Sequence, residues 1–483
     1  MDTAETVYLA TVGLYLVFFA LFCRYVFWRR EAYKKHWSRR RCLSIAEVEE
    51  LARLKGQPLP YISILIPAKG EADVIECTIR HMAALEYPTD RFELVVITDE
   101  KEMRGKDKPY PTTQEVVEST RAALGREGVE GKPAPRIVHV SVPYDFEGRL
   151  HGPLLGHEVP STKGRALNYG LDFVSQQSDI CAFYDAESRP EKQVLLWVAW
   201  RSLANPEVQI WQGPVFQVRN YYYISAINKV VALYQAISHA WYLPVLMRKL
   251  PFVGGTNFFA RRQLLERVGG FDHHALTEDL EFGVRSALEF PDAWPEYMPY
   301  WSTEQTPATY MGYFRQRLRW GSGHLQVTAK FREAGQYPWD RRRPLVHNLY
   351  WKGEGEWLFY QLAVIASLSL GGVFARGLLH VPALPWGVII ALRIFTLVYF
   401  AFTFYLYFYF RAFMLPPPGK GLVGLAQRWL GVAELLLLPL AGILMLAPYS
   451  AALLLKFLNR QPQVWVKTPR TREVFSRAGG LAK

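Results

Sequence analysis

Ile180-Cys181-Ala182-Phe183-Tyr184-Asp185-Ala186-Glu187-Ser188 is an apolar run that stops abruptly at two carboxylates. Five apolar residues are too few for a helix and suit a buried strand. The same form recurs upstream. Leu94 to Thr98 is apolar and β-branched and ends at Asp99, while Ile62 to Ile66 and Ile137 to Val142 are two further strand-type runs. Helix-type stretches separate them: Glu76 to Leu85, Gln114 to Leu124, Arg165 to Val174 and Lys192 to Ala204. Strands alternating with helices predict an α/β domain over residues 61–305. Open α/β sheets place their ligand crevice outside the carboxyl ends of the strands, where Asp99, Asp185 and Glu187 fall. Acidic residues also follow strands simply as turn residues, so each of the three alone says little. Lys101 to Pro111 and Tyr144 to Ser161 are rich in Gly, Pro and charge and predict mobile loops over that crevice.

The flanks have a different character. The chain is 50% hydrophobic yet 21% charged, too apolar for an ordinary soluble enzyme and too charged for a pure transporter. Val7 to Trp28 is long enough to cross a bilayer; only Asp2 and Glu5 precede it, and Arg29, Arg30, Lys34, Lys35 and Arg39 to Arg41 follow. That order predicts an uncleaved anchor with its N-terminus outside and the α/β domain in the cytosol. The predicted organisation is an anchor over 1–28, a basic juxtamembrane segment over 29–60, the α/β domain over 61–305 and an interfacial region over 306–350. Membrane helices follow over 351–458 and a basic cytosolic tail over 459–483. Glu356 to Ala375 and Trp386 to Phe410 are expected spans, Arg411 to Gln427 a loop or interfacial helix, and Trp429 to Phe457 a span or hairpin broken at Pro439 or Pro448. The net charge of +12 sits beside apolar segments, so anionic lipid rather than nucleic acid is the expected partner. Cys23, Cys42, Cys77 and Cys181 have no paired spacing, and the histidines, His273-His274 included, have no metal spacing.

Three later motifs complete the set. Gly254-Gly255-Thr256 precedes Gly269-Gly270-Phe271-Asp272, and Thr277-Glu278-Asp279 follows. Thr277 is a candidate N-cap, which would make the last motif a helix start. Gln316-Arg317-Leu318-Arg319-Trp320, taken alone, is an aromatic-basic helix at a membrane interface. Tyr221 to Leu250 and Tyr310 to Phe331 mix aromatic, aliphatic and basic residues at helical spacing, suiting helices in the headgroup layer or a packed core.

Taken in order, these motifs resemble the membrane-bound family 2 glycosyltransferases, which include cellulose, chitin and hyaluronan synthases and ceramide glucosyltransferase. The likeness covers about Ile62 to Gln326. It rests on Pro67-Ala68 with Glu71, Asp99, Lys163-Gly164 with Ala166-Leu167-Asn168, Asp185-Ala186-Glu187, Thr277-Glu278-Asp279, and Gln316 with Arg319-Trp320. The resemblance implies a GT-A-type nucleotide-sugar-binding domain, inserted between an N-terminal membrane helix and a C-terminal helical membrane region. It implies that Glu71 and Asp99 hold nucleobase and ribose, and that Lys163 and Arg319 contact the diphosphate. Asp185 serves the ribose and phosphate side and, with Glu187, a Mg²⁺ or Mn²⁺ ion, for which carboxylates are suitable hard ligands. Asp279 is implied as the base that takes the acceptor hydroxyl proton, with inversion giving a β-linkage. Glu278, Gln316 and Trp320 fall to the acceptor.

Two departures from the family pattern stand out. Glu187 occupies a metal-motif position where many members have Asp. Phe252-Val253-Gly254-Gly255-Thr256 stands where cellulose synthases carry Phe-Phe-Cys-Gly, so their acceptor contacts do not transfer. The expected donor is a UDP-sugar. The acceptor is expected to be a growing polysaccharide, the alternative being a membrane lipid such as diacylglycerol, a ceramide-like lipid or a polyprenyl phosphate. A transporter or receptor with a degenerate α/β domain would have lost the motif carboxylates, which are present. No oligomeric state is readable. The charge asymmetry of the first helix predicts a cytosolic tail. A Gly479→Cys variant in intact cells should resist an impermeant thiol reagent added outside, and rapid labelling would reverse the topology.

Overall fold

The computed structural model describes residues 3–104, 110–156, 159–361, 386–460, 462, 470–476 and 480–482. Along the chain come strands β1 (Tyr61–Pro67), β2 (Phe92–Asp99), β3 (Arg136–Val142), β4 (Ser178–Phe183), β5 (Arg189–Pro190), β6 (Ile210–Gln212), β7 (Val215–Phe216), β8 (Phe258–Arg261), β9 (Glu296–Tyr297) and β10 (Ser302–Thr303). Seven form one sheet in the order β3-β2-β1-β4-β8-β6-β9. β1 pairs in parallel with both β2 and β4, and β2 with β3. β8 runs antiparallel to β4 and β6, so the sheet is mixed. β5, β10 and β7 make a small second sheet beside it.

The four expected strands are the four parallel ones, and the helices Ile75–Ala83, Thr113–Glu127, Lys163–Leu171 and Val194–Ala204 occupy the expected intervals. β1 and β2 are buried almost throughout, as continuous apolar runs between helical layers must be. Local chemistry fixes the helix starts. Thr112 and Glu115 form a reciprocal capping box, and Thr162 accepts from Arg165 N to cap the Lys163–Leu171 helix. Because β1, β2 and β4 are parallel, Pro67, Asp99 and Asp185 emerge at one edge. The antiparallel half escaped the sequence reading because its strands are two to four residues long, too short for a periodic signal.

Several expectations need adjusting. One unbroken helix spans Thr3–Lys35, carrying through Arg29, Arg30, Lys34 and Lys35 but ending before Arg39 to Arg41. Trp386–Phe410 is helical as expected, but the next helix opens at Gly421, inside the expected loop. It passes through a 3₁₀ turn at Glu434–Leu437 into Leu438–Phe457, so Pro439 starts a helix and Pro448 lies within one. Among the described residues, Arg393–Phe413 and Gly421–Phe457 are long and apolar enough to cross a membrane by length and composition. The expected span from Glu356 lies outside the described residues beyond Gln361, as does about half of the tail. Thr277 sits at the N-cap position of the Glu278–Glu289 helix but makes no capping hydrogen bond.

That helix is set by contact with the Pro251 loop. A β-carbon at Gly283 would meet Pro251 O at 2.2 Å, backbone that can yield only by moving. Gly283→Ala should therefore destabilise by about 1–3 kcal/mol through overpacking. Gly125→Ala, on an open helix face, should instead be neutral or gain up to about 1 kcal/mol. Unfolding midpoints of the two variants in detergent test the contrast; equal midpoints would remove the contact from the account.

Candidate active site

Lys163 is the hub of the strand-end edge. Its ammonium contacts Asp185 Oδ1 and donates to Gly255 O at 2.6 Å. Burial alone would depress its pKa, but Asp185, Glu278 and Asp279 outweigh burial and raise it, so the amine stays charged. Gly255 has φ +72°, and a β-carbon there would lie 2.5 Å from Asp279 Oδ2. Only glycine allows this turn to carry its carbonyl to Lys163 and its Cα against Asp279. Asp279 opens its helix and accepts from Leu280 N at 2.8 Å. The coupled carboxyls of Glu278 and Asp279 are both pushed above the usual range by burial, against the pull of Lys163.

Asp99, at the end of β2, takes a different partner. Arg165 Nη1 donates to its Oδ2 at 3.1 Å, with Ser161 on the same oxygen. Arg165 is fully buried and also holds Phe146 O and Tyr144 O, fastening the 144–161 loop to the sheet edge. Asp185 N donates to Ser188 Oγ and Thr256 Oγ1, and both hydroxyls donate to Glu304 Oε1, at 2.6 Å and 2.9 Å. Glu304 is thus a further buried carboxyl, raised by burial and by Asp185. Nothing in the sequence marked it, for β10 is only two residues long.

The tail supplies another residue that the sequence reading missed. Arg470 Nη1 lies 2.8 Å from Glu187 Oε1, and its Nε 3.9 Å from Glu71 Oε2. Three residues on, Glu473 forms buried ion pairs with Arg189 and with Arg219 at 2.8 Å. Thr471 N donates to Gln305 Oε1 at 2.7 Å. A run of basic residues after a membrane helix carries no signal for such docking. The short tail segment therefore lies in the α/β domain rather than apart from it.

Glu71, Asp99, Lys163, Asp185, Glu187, Glu278, Asp279, Gln316, Arg319 and Trp320 all line one cavity of about 500 Å³. Every sequence-predicted site residue is thus brought together. Gln316, Arg319 and Trp320 lie on the Tyr310–Glu333 helix, which approaches closely at Gly323, where a β-carbon would meet Thr277 at 2.6 Å. Arg319 donates to Leu276 O at 3.2 Å, and Arg317 covers the Trp320 ring at 3.9 Å. Beyond Trp320 the cavity continues between Ser238, Tyr242, Trp357, Tyr449 and the first helix at Tyr25 and Trp28.

As for a divalent cation, no group of three or more His, Cys, Asp and Glu forms a metal cluster among the described residues. Asp185 and Glu187 instead face Lys163 and Arg470. Glu187 Oε2 is buried without a hydrogen-bond partner. That free oxygen and the exposed side of Asp185 fit a hard ion that draws its other ligands from a diphosphate.

Residues 181–415 match the family model described as glycosyl transferase family group 2. Over that segment, just under half of its length, the chain is similar to the family 2 glycosyltransferases. Its relatives include the probable glycosyltransferase YdaM of Bacillus subtilis, 28% identical over 61% of this chain and 61% of that protein. The β-monoglucosyldiacylglycerol synthase of Trichormus variabilis is 23% identical over 56% of this chain and 50% of its own length. Glucomannan 4-β-mannosyltransferase 9 of Arabidopsis thaliana is 22% identical, over 59% and 48% respectively. The chain thus spans about half to three-fifths of the length of these curated relatives. A solved mannosyltransferase from Pyrobaculum calidifontis, in complex with GDP-Man and Mn²⁺, covers 86% of this chain and 95% of its own at 17% identity and a TM-score of 0.46.

The raised carboxyls give a pH test. A carboxyl whose pKa is raised on folding stabilises the fold in acid, and that contribution is lost as pH rises through the folded pKa. The protein should therefore lose stability between the ordinary carboxylate range and about pH 7, the value to which burial pushes Glu278. Glu278→Gln should flatten that part of the curve of unfolding midpoint against pH. An unchanged slope would mean that Glu278 titrates as an ordinary surface carboxyl.

Proposed function

We propose that this enzyme transfers a hexose from a nucleotide-diphospho-sugar, with inversion, to the growing end of a β-linked polysaccharide at the cytosolic face of a membrane. The observation that carries this reading is the single cavity. One end is lined by acids and by Lys163 and Arg319, and it continues past Trp320 to an end walled by Tyr25, Trp28, Trp357 and Tyr449. Sugars present hydroxyls that need partners and flat C–H faces that lie against aromatic rings. The far end offers both.

In this mechanism Glu71 and Asp99 take the nucleoside, with Arg165 holding Asp99 in place. Lys163 and Arg319 meet the diphosphate as fixed positive charges. Asp185 and Glu187 would hold Mg²⁺ or Mn²⁺, which when bound offsets charge on the departing diphosphate. Asp279 stands beside the Gly255 turn and close to Arg319 of the Tyr310–Glu333 helix. It accepts the proton of the attacking hydroxyl, and its raised pKa makes it a better base than an exposed aspartate. Glu278, Gln316 and Trp320 orient the acceptor; Gln316 Oε1 is buried without a hydrogen-bond partner, as a group waiting for a hydroxyl would be.

A lipid acceptor is the second reading. Leu243, Leu246, Leu250, Leu276 and Met445 give the cavity an aliphatic wall near Glu278 and Asp279, and one relative is a glycolipid synthase. Supplying purified enzyme with labelled nucleotide-sugars and analysing the product separates the two: a ladder of saccharides supports the first reading, a single glycolipid the second.

Asp279→Asn keeps shape and removes the base, so turnover should fall by about two to four orders of magnitude with donor binding retained. Near-normal turnover would reduce Asp279 to a helix-start residue. Chelation should abolish transfer, and Mg²⁺ or Mn²⁺ should restore it; full activity after thorough chelation would remove the ion from the mechanism.

A further inference from the structure

Positive charge at the aromatic end of the cavity exceeds what the protein neutralises. Arg24 belongs to the Thr3–Lys35 helix and falls within the apolar stretch Val7 to Trp28. Its guanidinium carbon lies 4.5 Å from the ring centre of Trp28 and 4.9 Å from that of Tyr360. Its Nε is buried with no hydrogen-bond partner. Lys352 sits 4.1 Å from the ring centre of Tyr242 and donates to Glu356 Oε2 at 2.8 Å. Among the described residues Glu356 is the carboxylate lining this end, and the lysine already holds it.

The neighbouring elements do not supply the missing charge. His239 and His324 face the same cavity, and burial lowers their pKa to about 3 and about 4, which leaves them neutral. Arg317, nearer Trp320, donates to the amide of Gln217 and adds another positive charge. Residues 362–385, outside the described structure, contain no Asp or Glu. A cation so placed is costly unless an anion reaches it, and an ionisable group inside a membrane segment is there for function more often than for stability.

Resting on the polysaccharide reading of the cavity, we infer that Arg24 is an acceptor-side anion subsite that takes a carboxylate-bearing saccharide. The planar fork of a guanidinium matches a carboxylate through two parallel hydrogen bonds. The rings of Trp28 and Tyr360 fix the guanidinium plane, and the aromatic walls take the faces of the sugars. One acidic sugar at this point balances the charge that Glu356 leaves uncompensated. The substrate class is therefore an acidic polysaccharide, whose repeat contains a uronic-acid-type unit.

The test uses the full chain in nanodiscs of neutral lipid, with a short β-linked oligoglucuronate and a neutral β-glucan oligomer of equal length as probes. Calorimetry should give about tenfold or tighter binding of the acidic oligomer, with the gap narrowing as salt is raised. Arg24→Gln should close the gap and Arg24→Lys should retain part of it, with unfolding midpoints verifying that both variants fold. Equal binding of the two oligomers by the unmodified protein overturns the inference without any variant. So does a gap that Arg24→Gln leaves intact, or one that phosphatidic acid in the disc abolishes, since Arg24 then serves a lipid phosphate. Product analysis with labelled nucleotide-sugar keeps the two readings apart. Absence of any saccharide product refutes the polysaccharide function, whereas saccharide synthesis without acid discrimination refutes this inference alone.

Discussion

A single ammonium group holds the acidic edge of the sheet together. Lys163 reaches Asp185 at the end of β4 and the carbonyl of Gly255, and Glu278 and Asp279 lie close enough to raise its pKa. Those groups come from four separate parts of the chain: a helix N-terminus, a strand end, a glycine turn and a second helix N-terminus. Carboxylates gathered without a cation would repel one another, and burial would protonate them. With Lys163 between them they remain close at the sheet edge.

The same charge logic extends outward. Glu187 is fully buried, its pKa raised by burial and held back by Arg470, which arrives from the far end of the chain. The tail is anchored there by Glu473, whose carboxyl is pulled down to about 2, against burial, by Arg219 and Arg189. Since Arg219 also donates to the backbone oxygen of Glu187, tail and motif share one scaffold. The acidic edge is thus balanced by cations drawn from the domain itself, the Tyr310–Glu333 helix and the tail.

The lower half of the cavity is built on different physics. The Ala226–Ile237 helix is largely buried and shares a core with Leu406, Tyr407 and Phe410 of the Trp386–Phe410 helix and with Leu438 and Ala441 of the Leu438–Phe457 helix. Of the two settings open to the aromatic residues of Tyr221 to Leu250, the headgroup layer or a packed core, Tyr221 and Trp241 take the core. The α/β domain therefore rests on the apolar helices through a packed surface.

Much of this was legible in the sequence, and the reason is locality. β1, β2 and β4 are largely apolar runs and β3 alternates apolar with polar residues, their helices carry periodic faces and caps, and Asp99, Asp185 and Asp279 stand at strand or helix ends within a few residues of the signal that reveals them. The sequence by itself determined the parallel half of the sheet, the strand-end carboxylates and the apolar flanks. The tertiary structure alone decided the antiparallel half and the burial of Glu304, because strands of two residues have no periodicity to read. It also decided the docking of Arg470 against Glu187 and the placing of Arg24 beside Tyr360. Those contacts join residues hundreds of positions apart, and charge pairing at such separation depends on how the layers close, which no local pattern encodes.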